Sequence, residues 1–185
     1  MSTQVAWRYV VFPTDLGWMA IAGQGDRVSR LTFGHANSTA AKRALGELPR
    51  GALRDDVWFG DLVERLQAYA LGARDDFRDV PISVDELTEF GLQVVERCRR
   101  IPPGATLTYG QLATSVGHQW AARAVGNVMR TNRIPLIVPC HRVVGSGGKM
   151  HGYSAAGGLE TKRRLLDMEV AGWVWDGVRS TIVTT

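Results

Sequence analysis

The sequence predicts an α+β fold, in which a small N-terminal antiparallel sheet with helices precedes a mostly helical C-terminal half. Three short runs rich in β-branched and aromatic residues occupy the first 33 residues and are separated by turn-forming residues. Further along the chain, apolar residues recur chiefly at helical spacing. The chain has 185 residues, of which 45% are hydrophobic, so it can bury one good core or two small ones.

The N-terminal elements follow from these patterns. We predict strands at residues 5–12, 18–22 and 28–33, a weak helix at residues 38–45 and a stronger helix at residues 56–71. The apolar face of the stronger helix consists of Trp58, Leu62, Leu66 and Tyr69, and Gly72 ends it. This half carries no paired catalytic carboxylates, phosphate loop or metal-ligand spacing, and we interpret it as scaffold.

A charged, proline-containing stretch at residues 74–84 predicts a junction between two domains. Residues 1–80 would form an N-terminal α/β scaffold domain and residues 86–170 a C-terminal domain. Residues 171–185, with Trp173 and Trp175, remain as a C-terminal tail without an assigned role. The C-terminal domain begins with a predicted helix at residues 86–100, and Cys98 lies on its apolar face, which indicates core packing.

Two helices joined by a glycine-containing turn follow, which is the helix-turn-helix pattern. Thr108 and Gln111 have the spacing of a capping box, and the second helix is predicted at residues 119–129. One face of this helix carries Ala122, Val125 and Met129, and the opposite face carries Arg123, Gly126, Asn127 and Arg130. The polar face fits a DNA backbone, but an ordinary solvated face is equally consistent with it.

The distribution of charge favours the DNA interpretation. Residues 1–85 carry 10 Lys and Arg against 11 Asp and Glu, whereas residues 86–185 carry 12 against 7. The basic excess therefore lies entirely in the half that contains the second helix, where an anionic partner is expected.

The apolar run at residues 136–138 lies between Pro135 and Pro139 and predicts a buried strand that stops abruptly. Cys140, His141 and Arg142 follow it, a setting that can lower the pKa of a thiol below about 8.5. The competing interpretation is a small buried cysteine of no chemical consequence. On an extended backbone the Cys140 and His141 side chains would point apart, so the histidine would act through a bend or a water.

The last predicted helix, at residues 159–170, has an unusual apolar face. Leu159, Lys162, Leu166 and Glu169 share that face, so charged residues take two positions where apolar ones are expected. Glu169 is a candidate to orient a histidine. In the alternative, Lys162 extends its charge into solvent and Glu169 lies at a frayed helix end. The glycine-rich stretch at residues 145–152 does not have the spacing of a phosphate-binding loop.

Several classes of protein are excluded by the sequence. No run approaches the ~20 apolar residues that a membrane span needs, and residues 1–4 lack the features of a signal peptide. The two cysteines, Cys98 and Cys140, give neither a disulfide framework nor a metal site. We therefore expect a cytoplasmic protein without metal or membrane association.

Three motifs together closely resemble the O6-alkylguanine-DNA alkyltransferases. They are Pro139-Cys140-His141-Arg142-Val143-Val144-Gly145, Ala121-Ala122-Arg123-Ala124-Val125-Gly126 and Leu165-Leu166-Asp167-Met168-Glu169. The resemblance is strong over residues 88–170 and looser over residues 16–80. It implies direct repair of DNA without a cofactor, by a monomer that binds the duplex through the minor groove and flips the damaged guanine into a pocket.

The resemblance also implies a role for each site residue. Cys140 would attack the alkyl carbon and keep it as a thioether, so each molecule would act once on O6-alkylguanine, and the family leaves open whether O4-alkylthymine is accepted. His141 would take the thiol proton through a water, Glu169 would orient His141, and Tyr109 would donate toward the leaving base. Asn132 would stabilise the active-site turn, and Arg123 would fill the space left by the flipped base. The expected substrate-pocket residues are Val143, Tyr153, Ser154, Lys162 and Pro135, and the expected DNA-contacting residues are Arg123, Gly126, Asn127, Arg130 and Tyr109.

The chain departs from the family pattern in three places. Asn127 and Val128 stand where many relatives have Gly or Ala. Ala155-Ala156 resembles a two-residue insertion in the pocket loop, which bears on the size of alkyl group accepted. The N-terminal half has no cysteine, so the zinc site of some relatives cannot form through thiolates. A non-catalytic relative with tryptophan in place of Cys140, a helix-turn-helix regulator and a cysteine hydrolase are the competing functions.

Overall fold

The structure of the protein is a computed structural model that describes residues 6–84 and 86–182, with the side chains of residues 172–182 left undescribed. Its N-terminal half contains a four-stranded sheet in the order β3-β2-β1-β4. The strands are β1 (Trp7–Phe12), β2 (Trp18–Gln24), β3 (Arg27–His35) and β4 (Leu53–Arg54). The first three are antiparallel, as predicted, whereas the unpredicted β4 pairs parallel to β1. The α+β fold class is confirmed.

The alternation of side chains along the strands gives the sheet two buried faces. Val10 and Ile21 point into the main core, and Val11 and Ala20 point to a smaller cluster on the other side. Helix α1 (Ser38–Ala44) covers that smaller cluster, and the side chain of Asn37 caps it by accepting from the Ala40 amide at 2.9 Å. The sheet is therefore the middle layer of the N-terminal half.

The remaining helices are α2 (Gly60–Ala70), α3 (Glu89–Arg99), α4 (Tyr109–Ser115), α5 (Ala122–Arg130) and α6 (Gly158–Ile182). Helix α2 begins four residues later than predicted because Phe59 has a left-handed φ of 58°, which the helix cannot include. Helix α6 continues beyond the predicted end near Val170. The predicted tail therefore begins within this helix, and the side chains of Trp173 and Trp175 lie outside the described residues. No helix in the described part of the chain combines the length and apolarity needed to cross a bilayer.

One continuous core joins the two halves of the chain. It contains buried residues of the sheet, of α2 to α6 and of the segment around Cys140. A backbone hydrogen bond also crosses between the halves, since the Leu31 amide donates to the Arg133 carbonyl at 2.8 Å, and the Val28 amide binds the junction by donating to the Pro81 carbonyl at 3.0 Å. The N-terminal half is thus packed directly against the segment that leads to Cys140.

The predicted strand at residues 136–138 is wrong, because this segment forms a buried turn. Leu136 has a left-handed φ of 72°, and the Val138 amide donates to the Ile134 carbonyl at 2.9 Å. Such a conformation costs about 1–2 kcal/mol for a residue other than glycine. Burial of Leu136, Ile137 and Val138, each at most 1% exposed, offsets this cost. An apolar run of this length indicates burial but does not distinguish a turn from a strand.

A short parallel ladder connects the two predicted parts of the site. It pairs β5 (Leu107–Thr108) with β6 (Val143–Val144). β5 leads directly into α4, and β6 directly follows the turn that contains Cys140. The pairing therefore fixes the start of α4 beside the active-site cysteine.

Candidate active site

Cys140 opens a single 3-10 turn, Cys140–Arg142, directly after Pro139. Asn132, which follows α5, makes hydrogen bonds both to Cys140 and to the buried turn before it. Its Nδ2 atom donates to the Val138 carbonyl at 2.9 Å and to Cys140 Sγ at 3.1 Å, while its Oδ1 atom accepts from the Ile134 amide at 3.0 Å. Asn132 therefore connects both ends of the buried turn, Ile134 and Val138, with the Cys140 sulfur.

Cys140 lines a cavity of about 1000 Å³ between α4, α5 and the pocket loop, which we define as residues 151–157. The cavity is large enough for a nucleobase, since ligand pockets typically measure about 300–1000 Å³. Cys140 itself is only 4% exposed. The predicted site residues that line the cavity with it are Tyr109, Arg123, Gly126, Asn127, Arg130, Tyr153 and Ser154.

Glu169, on α6, is the centre of a buried polar cluster behind Cys140. Its Oε1 atom accepts from Tyr69 Oη at 2.7 Å, from His141 Nε2 at 2.9 Å and from Arg142 Nη2 at 2.6 Å. Its Oε2 atom accepts from the Gly104 amide at 3.0 Å. The predicted pairing of Glu169 with His141 is therefore present in the structure, and Glu169 does not lie at a frayed helix end.

The charge states of this cluster follow from its contacts. Burial alone would raise the pKa of Glu169, but the hydrogen bonds and charges of His141 and Arg142 outweigh it and hold that pKa well below its usual range. Burial lowers the pKa of His141 despite the nearby carboxylate. At neutral pH, Glu169 is therefore ionised and the imidazole is neutral.

These charge states fix the tautomer of His141. An ionised carboxylate can only accept, so the Nε2 atom of His141 carries the proton and donates it to Glu169. The Nδ1 atom is then an acceptor, and it is buried without a hydrogen-bond partner among the described residues. His141 is thus prepared to accept a proton at Nδ1.

The expected lowering of the Cys140 pKa is wrong for this resting site. Burial raises the pKa of the thiol, and the opposing effects of the Asn132 amide and the Lys162 charge do not overcome it. The neighbouring imidazole is neutral, so it adds no positive charge, and the Arg142 guanidinium is bound to Glu169. Cys140 therefore rests as a neutral thiol beside a neutral base.

Lys162 is buried rather than extended into solvent, with 1% of its surface exposed. Its Nζ atom donates to the Val143 carbonyl at 2.6 Å and lies 5.9 Å from the centre of the Tyr109 ring. The inner face of α6 is formed by Lys162, Leu165 and Glu169, whereas Leu159, which was placed on that face, is 43% exposed. The charged positions of the predicted face are thus its most buried ones.

Two tyrosines border the cavity near the sulfur. Tyr109 is the first residue of α4, and the predicted capping box before it is present, with Thr108 Oγ1 accepting from the Gln111 amide and Gln111 Oε1 accepting from the Thr108 amide. Burial raises the pKa of Tyr109, which keeps the phenol protonated. The hydroxyl of Tyr153 is buried and lowers the pKa of Cys140, although it makes no hydrogen bond of good geometry within the described residues.

Helix α5 has the two faces that the sequence predicted except at Ala122, which was placed on the buried face but is half-buried and lines the cavity. Val125 and Met129 are buried, while Arg123, Asn127 and Arg130 are exposed and line the cavity. Gly126 faces Tyr109 closely enough that an added Cβ would contact the ring at 4.0 Å. The basic face of α5 therefore continues directly into the cavity that ends at Cys140.

Pro135 is not brought to this cavity. It lines a separate cavity of about 560 Å³, which shares only Arg130 and Ser154 with the first one. Val143 and Lys162 are buried and do not line the Cys140 cavity either.

Two residues that bind Glu169, Arg142 and Tyr69, were not predicted from the sequence to belong to the site. The Arg142 Nη1 atom donates to the Ile101 carbonyl at 2.6 Å, and its Nε and Nη2 atoms donate to Glu169. Tyr69 was assigned to the apolar face of α2, yet its hydroxyl reaches Glu169. A polar tip on an apolar helix face is a signal that Tyr69 needs a partner, but it does not identify that partner 100 residues away.

Within the described residues, one group of side chains has the ligand types and proximity for a metal ion, namely Asp75, Asp76 and Asp79. Arg65 already binds two of these carboxylates, with 2.7 Å bonds from its Nε atom to Asp75 and from its Nη1 atom to Asp79. The pKa of each of these two aspartates is lowered, chiefly through Arg65 against the effect of burial. This cluster serves as an ion-pair network at the junction of the two halves.

Comparison with known proteins gives a consistent result. The family described as the DNA-binding domain of 6-O-methylguanine DNA methyltransferase matches residues 89–171. The methylated-DNA–protein-cysteine methyltransferase of Methanosarcina acetivorans is 35% identical over 161 residues, covering 87% of this chain and 97% of the relative. That of Mycobacterium tuberculosis is 42% identical over 161 residues, covering 87% and 91%.

Solved structures show the same similarity. The crystal structure of Mycobacterium tuberculosis OGT in complex with DNA superposes with a TM-score of 0.75 at 32% identity, covering 89% of this chain and 94% of that one. The O6-methylguanine-DNA methyltransferase of Pyrococcus kodakaraensis gives a TM-score of 0.67 at 26% identity, covering 87% and 98%. The similarity extends through both halves of the chain.

Proposed function

Because the chain belongs to the family of methylated-DNA–protein-cysteine methyltransferases, we propose that Cys140 accepts the alkyl group from damaged DNA. The protein binds DNA and repairs it by transferring an alkyl group to a cysteine. The observation that supports Cys140 as the acceptor is its position. Cys140 lines a cavity of nucleobase size, and its chain neighbour His141 is buried in a 2.9 Å hydrogen bond with Glu169.

The reaction begins with removal of the thiol proton. The Nδ1 atom of His141 takes this proton through a bridging water, and the ionised Glu169 stabilises the imidazolium that forms. The sulfur then attacks the alkyl carbon of O6-alkylguanine. A carbon–sulfur bond forms, the carbon–oxygen bond breaks, and its electron pair leaves with the guanine. Because Cys140 and His141 are both neutral before substrate binds, the proton transfer that forms the thiolate takes place after the damaged base has entered the site.

Tyr109 assists the departure of guanine. Its phenol remains protonated and borders the cavity, so it can donate toward the ring nitrogen where negative charge develops. The guanine finally takes up the proton that the thiol gave to His141, which returns the imidazole to its neutral form, and Cys140 keeps the alkyl group as a thioether. A thioether is not hydrolysed by water, so each protein molecule acts once.

The basic face of α5 is the proposed DNA-contacting surface. Arg123, Asn127 and Arg130 are exposed, and Gly126 presents no side chain, so the helix can approach the minor groove closely. Arg123 is proposed to fill the space that the flipped guanine leaves. Since these residues also line the Cys140 cavity, a base rotated out of the duplex beside α5 would enter that cavity directly.

The pocket for the flipped base is proposed to involve main-chain groups near Val143 and Ser154, with Tyr153 as a wall. Lys162 Nζ donates to the Val143 carbonyl at 2.6 Å and so holds β6, which is followed directly by Gly145 in the lining of the Cys140 cavity. The protein is proposed to act as a monomer.

A transfer assay with labelled DNA tests the proposal. The protein is mixed with a duplex carrying O6-[methyl-³H]methylguanine, and label on protein is counted against protein present. We expect at most one label per chain, located on Cys140. Cys140→Ser should bind the duplex but take up no label, whereas Cys98→Ser, which alters the other buried cysteine, should still be labelled.

The competing functions give different results in the same assay. A cysteine hydrolase would release label to solvent over many turnovers. A regulator, or a non-catalytic relative, would bind the duplex without transfer. Either outcome would overturn the assignment of Cys140 as the alkyl acceptor.

A further inference from the structure

The hydroxyl of Tyr69 connects the N-terminal half of the chain to the polar cluster behind Cys140. Tyr69 lies on α2, is 2% exposed, and donates to Glu169 Oε1 at 2.7 Å across 100 residues of sequence. The other side-chain donors to Glu169, His141 and Arg142, belong to the active-site turn itself. The carboxylate is therefore held jointly by the two halves of the protein.

The packing of α2 fixes the position of this hydroxyl. The Tyr69 ring packs edge-on against Phe77, with 5.4 Å between ring centres, and Leu66 lies fully buried one turn earlier. Burial, followed by the charge of Glu169, raises the pKa of Tyr69 well above its usual value. The phenol therefore stays protonated and can act only as a donor toward the carboxylate.

Tyr69, His141 and Arg142 all donate to the same oxygen of Glu169. Donors that share one oxygen also share its negative charge, so each weakens the attraction of the carboxylate for the others. A donor of fixed position also restricts how the carboxylate can rotate. Removing the Tyr69 hydroxyl would thus change both the orientation of Glu169 and its hold on His141.

We propose that Tyr69 is a positioning residue for alkyl transfer, which orients Glu169 and limits its stabilisation of protonated His141. This inference rests on the proposed function of the site. It assigns to the N-terminal half a part in the chemistry, beyond the scaffold function inferred from its sequence. Without the hydroxyl, the carboxylate would favour the imidazolium more strongly, and His141 would remain protonated to higher pH.

The direction of this effect depends on every charged group that faces the His141–Glu169 pair. Positive charges on Arg142 and Lys162 disfavour the imidazolium, as burial does. Both charges are present in the wild type and in a variant that lacks only the hydroxyl, so neither of them is introduced or removed by the comparison. Among the described residues, Tyr153 also interacts with Glu169, and Cys140 precedes His141 in the chain.

The test compares wild type with Tyr69→Phe, which keeps the ring and removes the hydroxyl. The rate of Cys140 benzylation by free O6-benzylguanine is measured from about pH 5 to about pH 9, because the free base separates chemistry from DNA binding. We expect the acid limb of the profile to move upward by roughly half a unit to one unit, and the plateau to fall by roughly two- to tenfold. The pKa of His141, followed by NMR, should move in the same direction.

Tyr9→Phe is the matched control, because it removes a tyrosine hydroxyl from the same half of the chain, on the sheet face that packs against the smaller cluster and α1. It should leave the acid limb and the plateau at their wild-type values. An unchanged acid limb and His141 pKa in Tyr69→Phe, or an equal shift in Tyr9→Phe, would overturn the inference. Failure of the wild type to become benzylated would instead overturn the proposed function, and the inference with it.

Discussion

Replacement of Glu169 by glutamine tests most directly how the buried cluster supports the reaction. The substitution keeps the size of the side chain and removes its negative charge. In the wild type this charge is matched by Arg142, whose Nη2 atom lies 2.6 Å from Glu169 Oε1, and both side chains are at most 2% exposed. Breaking one partner of a buried ion pair costs about 3–5 kcal/mol, because the other charge remains unpaired in the core.

The same substitution acts on the protonation of His141. A glutamine amide can donate to Nε2, which would move the imidazole proton to Nδ1 and leave no acceptor toward the Cys140 thiol. A wrong histidine tautomer in a comparable serine protease triad lowers the rate about 10⁴-fold. We therefore expect Glu169→Gln to slow Cys140 benzylation by roughly 10³- to 10⁴-fold and to destabilise the fold by about 3–5 kcal/mol.

The assay measures benzylation by free O6-benzylguanine, together with denaturant unfolding of the same preparations. Glu160→Gln serves as the matched control, since Glu160 is exposed on the first turn of the same helix. The control should react at the wild-type rate and lose at most about 1 kcal/mol of stability. A Glu169→Gln protein that is folded and reacts within about tenfold of the wild type would refute the assignment of Glu169 as the residue that orients His141.

Three further predictions follow from the site. Asn132→Ala should slow benzylation of Cys140 and lower the free energy of unfolding by about 1–3 kcal/mol, because it leaves the buried groups of the turn without their partner. The control, Asn37→Ala, should lower the free energy of unfolding by about 1 kcal/mol at the cap of α1 and react at the wild-type rate. Arg123→Ala should impair repair of duplex DNA more than reaction with the free base. Arg163→Ala, which alters an exposed arginine of α6, should affect neither reaction. Equal losses on both substrates in Arg123→Ala would show that this arginine does not act through DNA. The pKa of Glu169 is depressed in the folded state, so its ionised form contributes stability that is complete above the unfolded-state pKa of about 4.3. This stability is lost as the pH falls toward the folded-state value. The free energy of unfolding of the wild type should therefore decrease more steeply in this acid range than that of Glu169→Gln.

The local elements of the fold were largely accessible from the sequence. The capping box at Thr108, the two faces of α5 and the three antiparallel strands depend on spacing within about ten residues, and the structure confirms them. The errors occur where a distant contact decides the conformation. Residues 136–138 form a turn because Asn132 and the surrounding core hold it, and the apolar composition of the segment gives no sign of this.

The same division applies to the candidate site. The resemblance of the sequence to a known family implied that Cys140, His141 and Glu169 act together, and the structure places the last two 2.9 Å apart. The sequence could not indicate that burial would raise the pKa of Cys140, because the cost of desolvation depends on what surrounds the sulfur. Local charges on neighbouring residues suggested the opposite shift.

The sequence by itself determined the chemical groups of this protein, their order along the chain, and the helices that carry them. Periodicity and capping are local properties, since they depend on backbone hydrogen bonds between near neighbours. Only the tertiary structure decided which groups share the Glu169 carboxylate and which protonation state each one takes. Tyr69 and Glu169 meet across 100 residues, and the energies that set their charges come from the exclusion of water by a core that both halves of the chain build together.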